Sequence, residues 1–555
     1  MDAKTAWLNP PFKAVGIDHL GIQQTPIRIF STLLPGLTVV TDRVSNYSFY
    51  PWVAWAFDQE QDWGGLDFIR VLRRAECLLT LIAEWHAKVC GEDEMTHSRG
   101  LVGRNTLAPA LHEDASRPIP LGELAAPRLE NPRSYFQHEA GGLGQYYLGP
   151  LRELGILQRS GTRFEYSDDV GAPLARAFDS RIDRKAFLRV VRRGLVDEKD
   201  LDQLKRFCPC YLADHPPERE LLIDLLFARK GEPAQPDVYR RQTLLLLLDL
   251  ASRRAHFGSA PLDAAFRAAC LTGAIDDGTS WRVPEPWRAV QRAWATYTRN
   301  DWLSIGVLGI FWAALKLLDE QGAQAESTRV IGEFVSQKVK AALGQEAEQG
   351  LADIITAKAV SLPPLAQWEA PNHEVQRSFA VRSEARSGNI DGCLRAAVDT
   401  LTALAARHLE LQPYREIGIP PDYLDDYPLN LSSFQLKLAE DWRTLSLAEW
   451  AGVLATDWGL EAHLRVALRK MHYESRDTFL LYVTEEGVRR RLETEAPLPG
   501  FTASRLNRAV RFLADLGLVI WEQPDDTNDV IAQYSGEWVA RISPTGRQLR
   551  EELGD

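Results

Sequence analysis

Three arginines near the C-terminus have the residue type and the spacing for contacts to anions. Arg505, Arg508 and Arg511 recur at every third position of a predicted helix, Ala503 to Leu516, on the side away from its apolar stripe. A guanidinium is a planar fork of donors that binds a phosphate, or the O6 and N7 atoms of guanine, in bidentate fashion. The pattern predicts a nucleic-acid contact, with an ordinary solvated helix face as the alternative.

The elements around that helix, from Phe479 to Asp555, must position these arginines. The sequence predicts a preceding helix that carries Arg489, Arg490 and Arg491, then the helix above, two short strands joined by the polar run 523–537, and a closing helix. This order resembles a winged-helix module, whose second helix can enter the major groove of DNA. The resemblance implies base or phosphate contacts from all six arginines. Winged helices also serve as protein–protein adaptors, so that role stays open.

A second stretch repeats the same pattern. Residues 151–157 (LRELGIL) and 512–519 (FLADLGLV) share a helix end, a glycine and a strand start, and strand-like runs and a helix follow both. The stretch 141–178 is therefore predicted to be a second winged-helix-like element with a short wing. Its helix carries Tyr146 and Tyr147 but few cations, which favours a structural or interaction role over DNA binding.

The histidine and lysine near position 86 match part of an enzymatic motif. His86, Lys88 and Asp93 reproduce the HxKxxxxD string and resemble the phospholipase D superfamily, in which a histidine of this motif is the phosphodiester nucleophile. The family needs two such motifs, and this chain contains one. The positions are also predicted to be helical, and residues two apart on a helix do not face each other. A phosphodiesterase or nuclease is therefore the alternative hypothesis, with these three residues as candidates.

The cysteines predict no metal site. Among the six cysteines only Cys208 and Cys210 are close in sequence, and His215 is the one histidine nearby. Two thiols and one imidazole fall short of the four ligands of a closed zinc site. We therefore expect free thiols in a reducing compartment, and no cofactor.

The amino-acid composition limits the classes of protein to which the chain can belong. The chain has 555 residues, a formal net charge of −12 and 45% hydrophobic residues, which is typical of a folded protein with several domains. The acidic balance argues against a surface coated in positive charge for bulk nucleic-acid binding. The N-terminus lacks the layout of a signal peptide, and the apolar run Leu303 to Leu318 is short and interrupted, so it predicts a buried helix. We expect a soluble, cytoplasmic protein without membrane contact.

The predicted fold is mainly α, a multidomain helical body with winged-helix-like α+β elements. The expected divisions are an aromatic-rich helical region 1–106, a linker and winged element 107–180, an all-helical domain 181–358, a linker-rich segment 359–430, and a helical block with the C-terminal winged helix 431–555.

The aromatic N-terminal block and the Trp-x6-Asp-Trp-Leu-Ser stretch at 294–304 are similar to those of proteins from prokaryotic antiviral, mobile-element defence loci. The similarity implies a non-catalytic scaffold, a subunit that binds double-stranded DNA or other protein subunits beside an ATPase or nuclease encoded nearby. A transcriptional regulator is a further alternative, although the helical body exceeds what dimerisation of a repressor needs.

Overall fold

The fold, described from a computed structural model, is mainly α, as predicted. The structure describes residues 18–91, 96–111, 117–160, 163–254, 261–275, 278–322, 324–364, 367, 370, 373–407, 414, 417–474, 477–522 and 539–554. Within these residues the strands form three antiparallel hairpins of two strands each.

The chain divides into two compact units, each made of separate stretches. The central unit comprises Met1–Phe30, His256–Ser504 and Pro524–Glu537, and the flanking unit comprises Ser31–Ala255, Arg505–Gln523 and Trp538–Asp555. The five consecutive divisions expected from linkers in the sequence do not coincide with these two units, since each unit combines stretches that are far apart in the sequence.

The central unit is a helical bundle with one hairpin, Leu481–Thr484 and Gly487–Arg490. Its α-helices are Gln24–Leu33 (which continues past Phe30), Leu262–Thr272, Arg288–Gln321, Thr328–Leu343, Leu351–Ser361, Glu374–Arg386, Ile390–Ala406, Pro421–Asp426, Leu431–Ala439, Leu447–Val453 and Ala462–Glu474, with a π-helical stretch Leu454–Glu461.

The helix Arg288–Gln321 is the core of the central unit. Gly306 and Gly309 let neighbouring helices approach closely, because an added Cβ would lie 2.6 Å from side-chain carbons of Leu401 and Val381. This helix is long and apolar enough to cross a membrane, but 94% of its most apolar window is buried inside the fold. The prediction of a buried helix over Leu303 to Leu318 is therefore confirmed.

The flanking unit contains the other two hairpins, Leu157–Ser160 with Arg163–Tyr166 and Val519–Glu522 with Val539–Ile542. Its α-helices are Asn46–Gln59, Phe68–Cys90, Arg104–Leu107, Leu121–Leu124, Leu148–Glu153, Gly171–Asp179, Arg184–Arg193, Glu198–Gln203, Pro216–Leu226, Gln235–Arg253, Leu506–Asp515 and Pro544–Gly554, with a π-helical stretch Leu143–Tyr147 and 3-10 turns at Ala108–Leu111, Lys205–Phe207 and Pro209–Leu212.

Aromatic side chains of the helix Asn46–Gln59 fill the core of the flanking unit. Trp52 is 1% exposed, and its ring lies 5.3 to 5.4 Å from those of Phe178, Phe187 and Phe207. Such ring pairs add to the apolar area that each side chain removes from water. The aromatic block of the N-terminal region is core packing.

The two predicted winged-helix-like elements share one local design. In the first, the Ser167 hydroxyl donates to the carbonyl oxygen of Gly155 at 2.6 Å, and in the second Ser543 donates to Gly517 at 2.6 Å. Each glycine has a positive φ and ends its helix. The shared pattern that the sequence shows at 151–157 and 512–519 is therefore a real structural repeat.

A close backbone approach completes each element. An added Cβ on Gly171 would lie 2.3 Å from the carbonyl oxygen of Ile156, and one on Gly546 would lie 2.0 Å from that of Leu518. Glycine is required at both positions because any side chain would overlap that oxygen.

The predicted helix around Arg489 to Arg491 is wrong. Leu481–Thr484 and Gly487–Arg490 form a hairpin, in which Leu481 and Val488 are buried and Gly487 has φ +141°. Alternating apolar residues and a glycine favour a strand pair over a helix. The helix that carries Arg508 and Arg511 begins at Leu506 rather than Ala503, and the Thr502 hydroxyl donates to the Asp301 carboxylate at 2.8 Å. The predicted wing at 523–537 lies outside the described residues.

Candidate functional site: a buried histidine and cysteine cluster

Four side chains with metal-ligand chemistry converge in the flanking unit. His86, His97, Cys208 and Cys210 each direct one ligand atom to a common point, and these four atoms lie within 4.8 Å of one another. The sequence alone predicts no metal site, because the two histidines lie more than a hundred residues before the two cysteines. The fold supplies the missing pair of ligands.

Two of the distances in the cluster join nitrogen to sulfur. His97 Nδ1 lies 3.3 Å from Cys208 Sγ, and His86 Nδ1 lies 3.4 Å from Cys210 Sγ. His97 and Cys208 are buried, His86 is 8% exposed and Cys210 is partly exposed. The nearby Cys208 thiol and burial both raise the pKa of Cys210.

Ordinary secondary structure places each of these side chains. His86 lies near the C-terminal end of the helix Phe68–Cys90, which Gly91 ends in the left-handed conformation. Cys208 and Cys210 flank Pro209, where one 3-10 turn ends and the next begins. The preceding residue, Phe207, stacks on Phe187 with ring centroids 4.2 Å apart, which anchors the cysteine turn to the aromatic core.

Buried arginines hold the segments that carry the cluster. Arg181 Nη1 donates to the carbonyl oxygens of Arg206 (2.7 Å) and Cys208 (3.3 Å), and its Nε forms an ion pair with Glu218 at 2.7 Å. On the other side, Arg43 Nη2 donates to the carbonyl oxygen of Thr96 at 2.9 Å, next to His97. Bonds of this kind fix the orientation of ligands from outside the cluster itself.

His215, the histidine closest to the cysteines in sequence, lies outside the cluster. Its Nε2 is 3.3 Å from the Ser180 hydroxyl, and its Nδ1 is 3.8 Å from the Glu218 carboxylate. Burial lowers its pKa, with the positive charges of Arg181 and Arg206 acting in the same direction. Proximity in sequence therefore indicated the wrong histidine.

The residues of the phosphodiesterase hypothesis are not assembled as that motif requires. His86 faces Cys210 and stacks on the Tyr211 ring at 5.2 Å, whereas Lys88 is exposed and its ammonium lies over the Trp85 ring at 5.4 Å. Asp93 lies outside the described residues. His86 and Lys88 belong to a helix, as expected, and do not meet at one site.

The arginines of the predicted recognition helix contact the protein itself. Arg505 donates to the carbonyl oxygen of Leu34 (2.7 Å), and Arg508 donates to that of Val39 (2.9 Å). Arg508 and Arg511 both form ion pairs with Asp42, at 2.6 and 3.1 Å. Arg511 is only 5% exposed. These contacts place residues 34–42 against this helix face, whereas Arg505 and Arg508 stay partly exposed, so DNA contact through the three arginines remains a prediction.

The other three predicted arginines are also committed to internal contacts. Arg490 is 2% exposed, forms an ion pair with Asp319 at 3.0 Å and donates to the carbonyl oxygens of Leu480 (2.8 Å) and Thr494 (2.7 Å). Arg491 forms ion pairs with Asp477 (2.8 Å) and Glu493 (3.0 Å), and the Arg489 guanidinium lies 5.1 Å from the centre of the Tyr482 ring.

Comparison with known proteins adds no assignment to this geometry. The chain matches no protein-family model, no curated protein and no solved structure among those with which it was compared.

Proposed function

We propose that the protein is a non-catalytic helical scaffold that binds another protein, and that its winged-helix-like elements are internal braces. The observation that carries the proposal is the uneven distribution of exposed apolar side chains. Half of the large apolar side chains that are exposed in the described residues, seven of fourteen, fall between Leu468 and Leu498 of the central unit. Concentrated apolar exposure of this kind is typical of protein-binding surfaces.

We call these seven side chains the apolar patch. Its members are Leu468, Met471, Tyr473, Tyr482, Val483, Leu492 and Leu498, with exposed fractions from 39 to 68%. They come from the end of the helix Ala462–Glu474, the hairpin and the segment that follows it. The hairpin is tied to the helix because the Leu480 amide donates to His463 Nε2 at 3.0 Å.

Two acids and one arginine lie beside Tyr482 of the apolar patch and carry no net positive charge. Asp477, Arg491 and Glu493 form a chain of ion pairs beside Tyr482, whose hydroxyl donates to Glu493. An apolar centre with a polar rim is the usual anatomy of a protein–protein interface. A surface without net positive charge does not favour a polyanion as the partner.

The basic helix Arg184–Arg193 gives no support to DNA as the partner. Arg184 pairs with Asp179 at 3.5 Å, Arg192 pairs with Glu60 at 2.5 Å and Arg193 pairs with Asp200. These partners lower the positive potential that a phosphate backbone would require. An ATPase or nuclease as the partner, and a role in defence, rest on the similarity of the aromatic block and the 294–304 stretch alone.

The test of the partner-binding proposal uses the tagged full-length protein isolated from its native cells. Wild type is compared with a Met471→Ser/Val483→Ser/Leu492→Ser variant and with a control, Leu129→Ser/Val360→Ser, that removes even more exposed apolar groups elsewhere (102% and 87%, against 50 to 68%). We expect wild type and control to retain the same partner in stoichiometric amount and the patch variant to lose it. Each side chain at the centre of an interface is worth about 1–3 kcal/mol of binding. Retention of that partner by the patch variant would contradict the proposal.

The same protein preparations test the alternative hypothesis that the protein binds DNA. Fluorescence anisotropy with labelled duplex DNA across a salt series should show no binding that weakens as salt rises. Salt-dependent binding that Arg505→Ala/Arg508→Ala/Arg511→Ala abolishes, in a variant that remains folded, would instead restore the DNA-binding hypothesis.

A further inference from the structure

We propose that His86, His97, Cys208 and Cys210 bind one zinc ion in a closed, structural site. The inference is independent of the partner-binding proposal, since the cluster lies in the flanking unit and the apolar patch lies in the central unit.

The spacing of the donor atoms fits a tetrahedral ion. With bonds of about 2.3 Å to sulfur and about 2.0–2.1 Å to nitrogen, ligand atoms around zinc lie roughly 3.4–3.8 Å from one another. The His97–Cys208 and His86–Cys210 distances are 3.3 and 3.4 Å, and the widest separation among the four atoms is within 4.8 Å. Small side-chain rotations would complete the tetrahedron.

Two separate cysteine–histidine hydrogen bonds are the plain alternative. A thiol is a weak hydrogen-bond donor, and a cysteine–histidine hydrogen bond involves only one cysteine and one histidine. It does not require a second cysteine–histidine pair beside it. Here the two pairs come from three separate segments and direct all four atoms to one point, and the rings of His86 and His97 meet edge to face at 4.8 Å. One ion can bind all four side chains only if both cysteine–histidine pairs converge, as they do here.

The charge of the bound state favours zinc in this buried position. When Zn²⁺ binds, the two thiols become thiolates and release two protons to solvent, while the two imidazoles bind as neutral ligands. The resulting centre has no net charge, so its burial avoids the cost of an isolated ion. Two sulfur and two nitrogen ligands in a tetrahedron select zinc over the oxygen-seeking ions calcium and magnesium.

The number of protein ligands identifies the role as structural. Four protein ligands fill the tetrahedron and leave no position for water or substrate, which a catalytic zinc ion needs. The ligands connect the end of the helix Phe68–Cys90, the loop that carries His97 and the turn around Pro209. Arg181 and Arg43 hold the cysteine turn and the His97 loop from outside. The ion would therefore fix three distant segments of one unit.

The first experiment measures metal content of the purified, reduced full-length protein by mass spectrometry. We expect about one zinc ion per chain in wild type and loss of zinc in Cys208→Ser and in His97→Gln. Cys90→Ser and His215→Gln, a cysteine and a histidine close to the cluster but not part of it, should retain zinc. Wild type without zinc, both as isolated and after addition of zinc, would overturn the inference, as would retention of zinc by both ligand variants.

A second measurement covers the case in which a ligand variant does not fold. Zinc is removed from wild type with a chelator and replaced by Co²⁺, whose visible absorption is strong when it is tetrahedral and whose near-ultraviolet bands report bonds to thiolate. We expect both signals at one equivalent of cobalt, and about half of the near-ultraviolet intensity in Cys210→Ser. A weak spectrum without thiolate bands in wild type would exclude the proposed ligand set.

Discussion

Removal of the Arg181 guanidinium should destabilise the flanking unit in a way that depends on pH. Arg181 and Glu218 form an ion pair whose side chains are 3% and 0% exposed. Arg181→Met leaves the carboxylate buried without its partner, and breaking one half of a buried pair is strongly destabilising. Two carbonyl oxygens, of Arg206 and Cys208, also lose their donor.

The size of the expected loss of stability depends on whether Glu218 stays charged or becomes protonated when Arg181 is removed. Burial already raises the pKa of Glu218 above 4.5, and Arg181 opposes that shift. Without Arg181 the carboxyl group becomes protonated rather than remain charged, which costs about 3.4 kcal/mol at pH 7 and about 0.7 kcal/mol at pH 5 relative to a group with the ordinary pKa of 4.5. Wild type already carries part of this cost because its own pKa is raised, so these values are upper limits for the variant. The lost hydrogen bonds add about 1–2 kcal/mol at either pH.

The direction of the pH effect is set by the sign of the shift. Because the pKa of Glu218 is higher in the folded than in the unfolded chain, its protonated form stabilises the fold at low pH, and that stability is lost as pH rises. In Arg181→Met, where Glu218 lacks its arginine, this loss of folding stability with rising pH continues through neutral pH. The free energy of unfolding should therefore fall by more at pH 7, by up to about 4–5 kcal/mol, than at pH 5, where the fall should not exceed about 2 kcal/mol.

Urea denaturation at the two pH values measures this difference. The control is Arg70→Met, which breaks an exposed pair with Glu130 (side chains 51% and 54% exposed) and should cost about 0–1 kcal/mol at both pH values. A loss in Arg181→Met that is equal at pH 5 and pH 7 would refute the reasoning, because it would show that Glu218 does not become protonated in the folded variant.

Three further predictions concern other parts of the chain. Gly546→Ala should destabilise the second winged-helix-like element by at least about 2 kcal/mol in thermal unfolding, whereas Gly149→Ala, whose Cβ has nothing within 4 Å, should change stability by under about 1 kcal/mol. Arg490→Met should cost about 3–5 kcal/mol in urea unfolding because Arg490 is buried and paired, and Arg489→Met should be close to neutral. Asp42→Ala should lower thermal stability, since it leaves two arginines without their shared acid, and should not create DNA binding in the anisotropy assay; a gain of salt-dependent DNA binding would show that the covering segment is a removable lid.

Much of the secondary structure was predictable, because helix periodicity and strand composition are local signals. The helix that carries His86, the buried helix over Leu303 to Leu318 and the repeat at 151–157 and 512–519 follow from apolar spacing and glycine stops. The predicted helix around Arg489 to Arg491, which would be the first helix of the C-terminal winged-helix module, is instead the hairpin Leu481–Arg490. The burial of Leu481 and Val488 on one face decides in favour of strands.

The candidate sites were less predictable, because they depend on which segments meet. Arg505, which precedes the helix Leu506–Asp515, and Arg508 and Arg511 within it all contact residues 34–42, which are distant in sequence. The Cys-Pro-Cys spacing was the one signal for the metal centre. Its two histidines occupy a helix end and a loop more than a hundred residues earlier, so no spacing rule connects them with the cysteines.

The discontinuity of the flanking unit has a consequence for synthesis of the chain. Residues Ser31–Ala255 leave the ribosome about 250 residues before Arg505. Asp42 and Arg43 cannot form their ion pairs with Arg511 and Asp515 until those residues have been synthesised. At about 5–20 residues per second, that interval lasts on the order of 10–50 s. During it the buried acids and bases of the N-terminal part lack their final partners, while His256–Ser504 can already fold. Nascent chains are therefore most exposed to chaperones and proteases in that interval, and a chain that stops short of its last fifty residues is left with its N-terminal half incomplete.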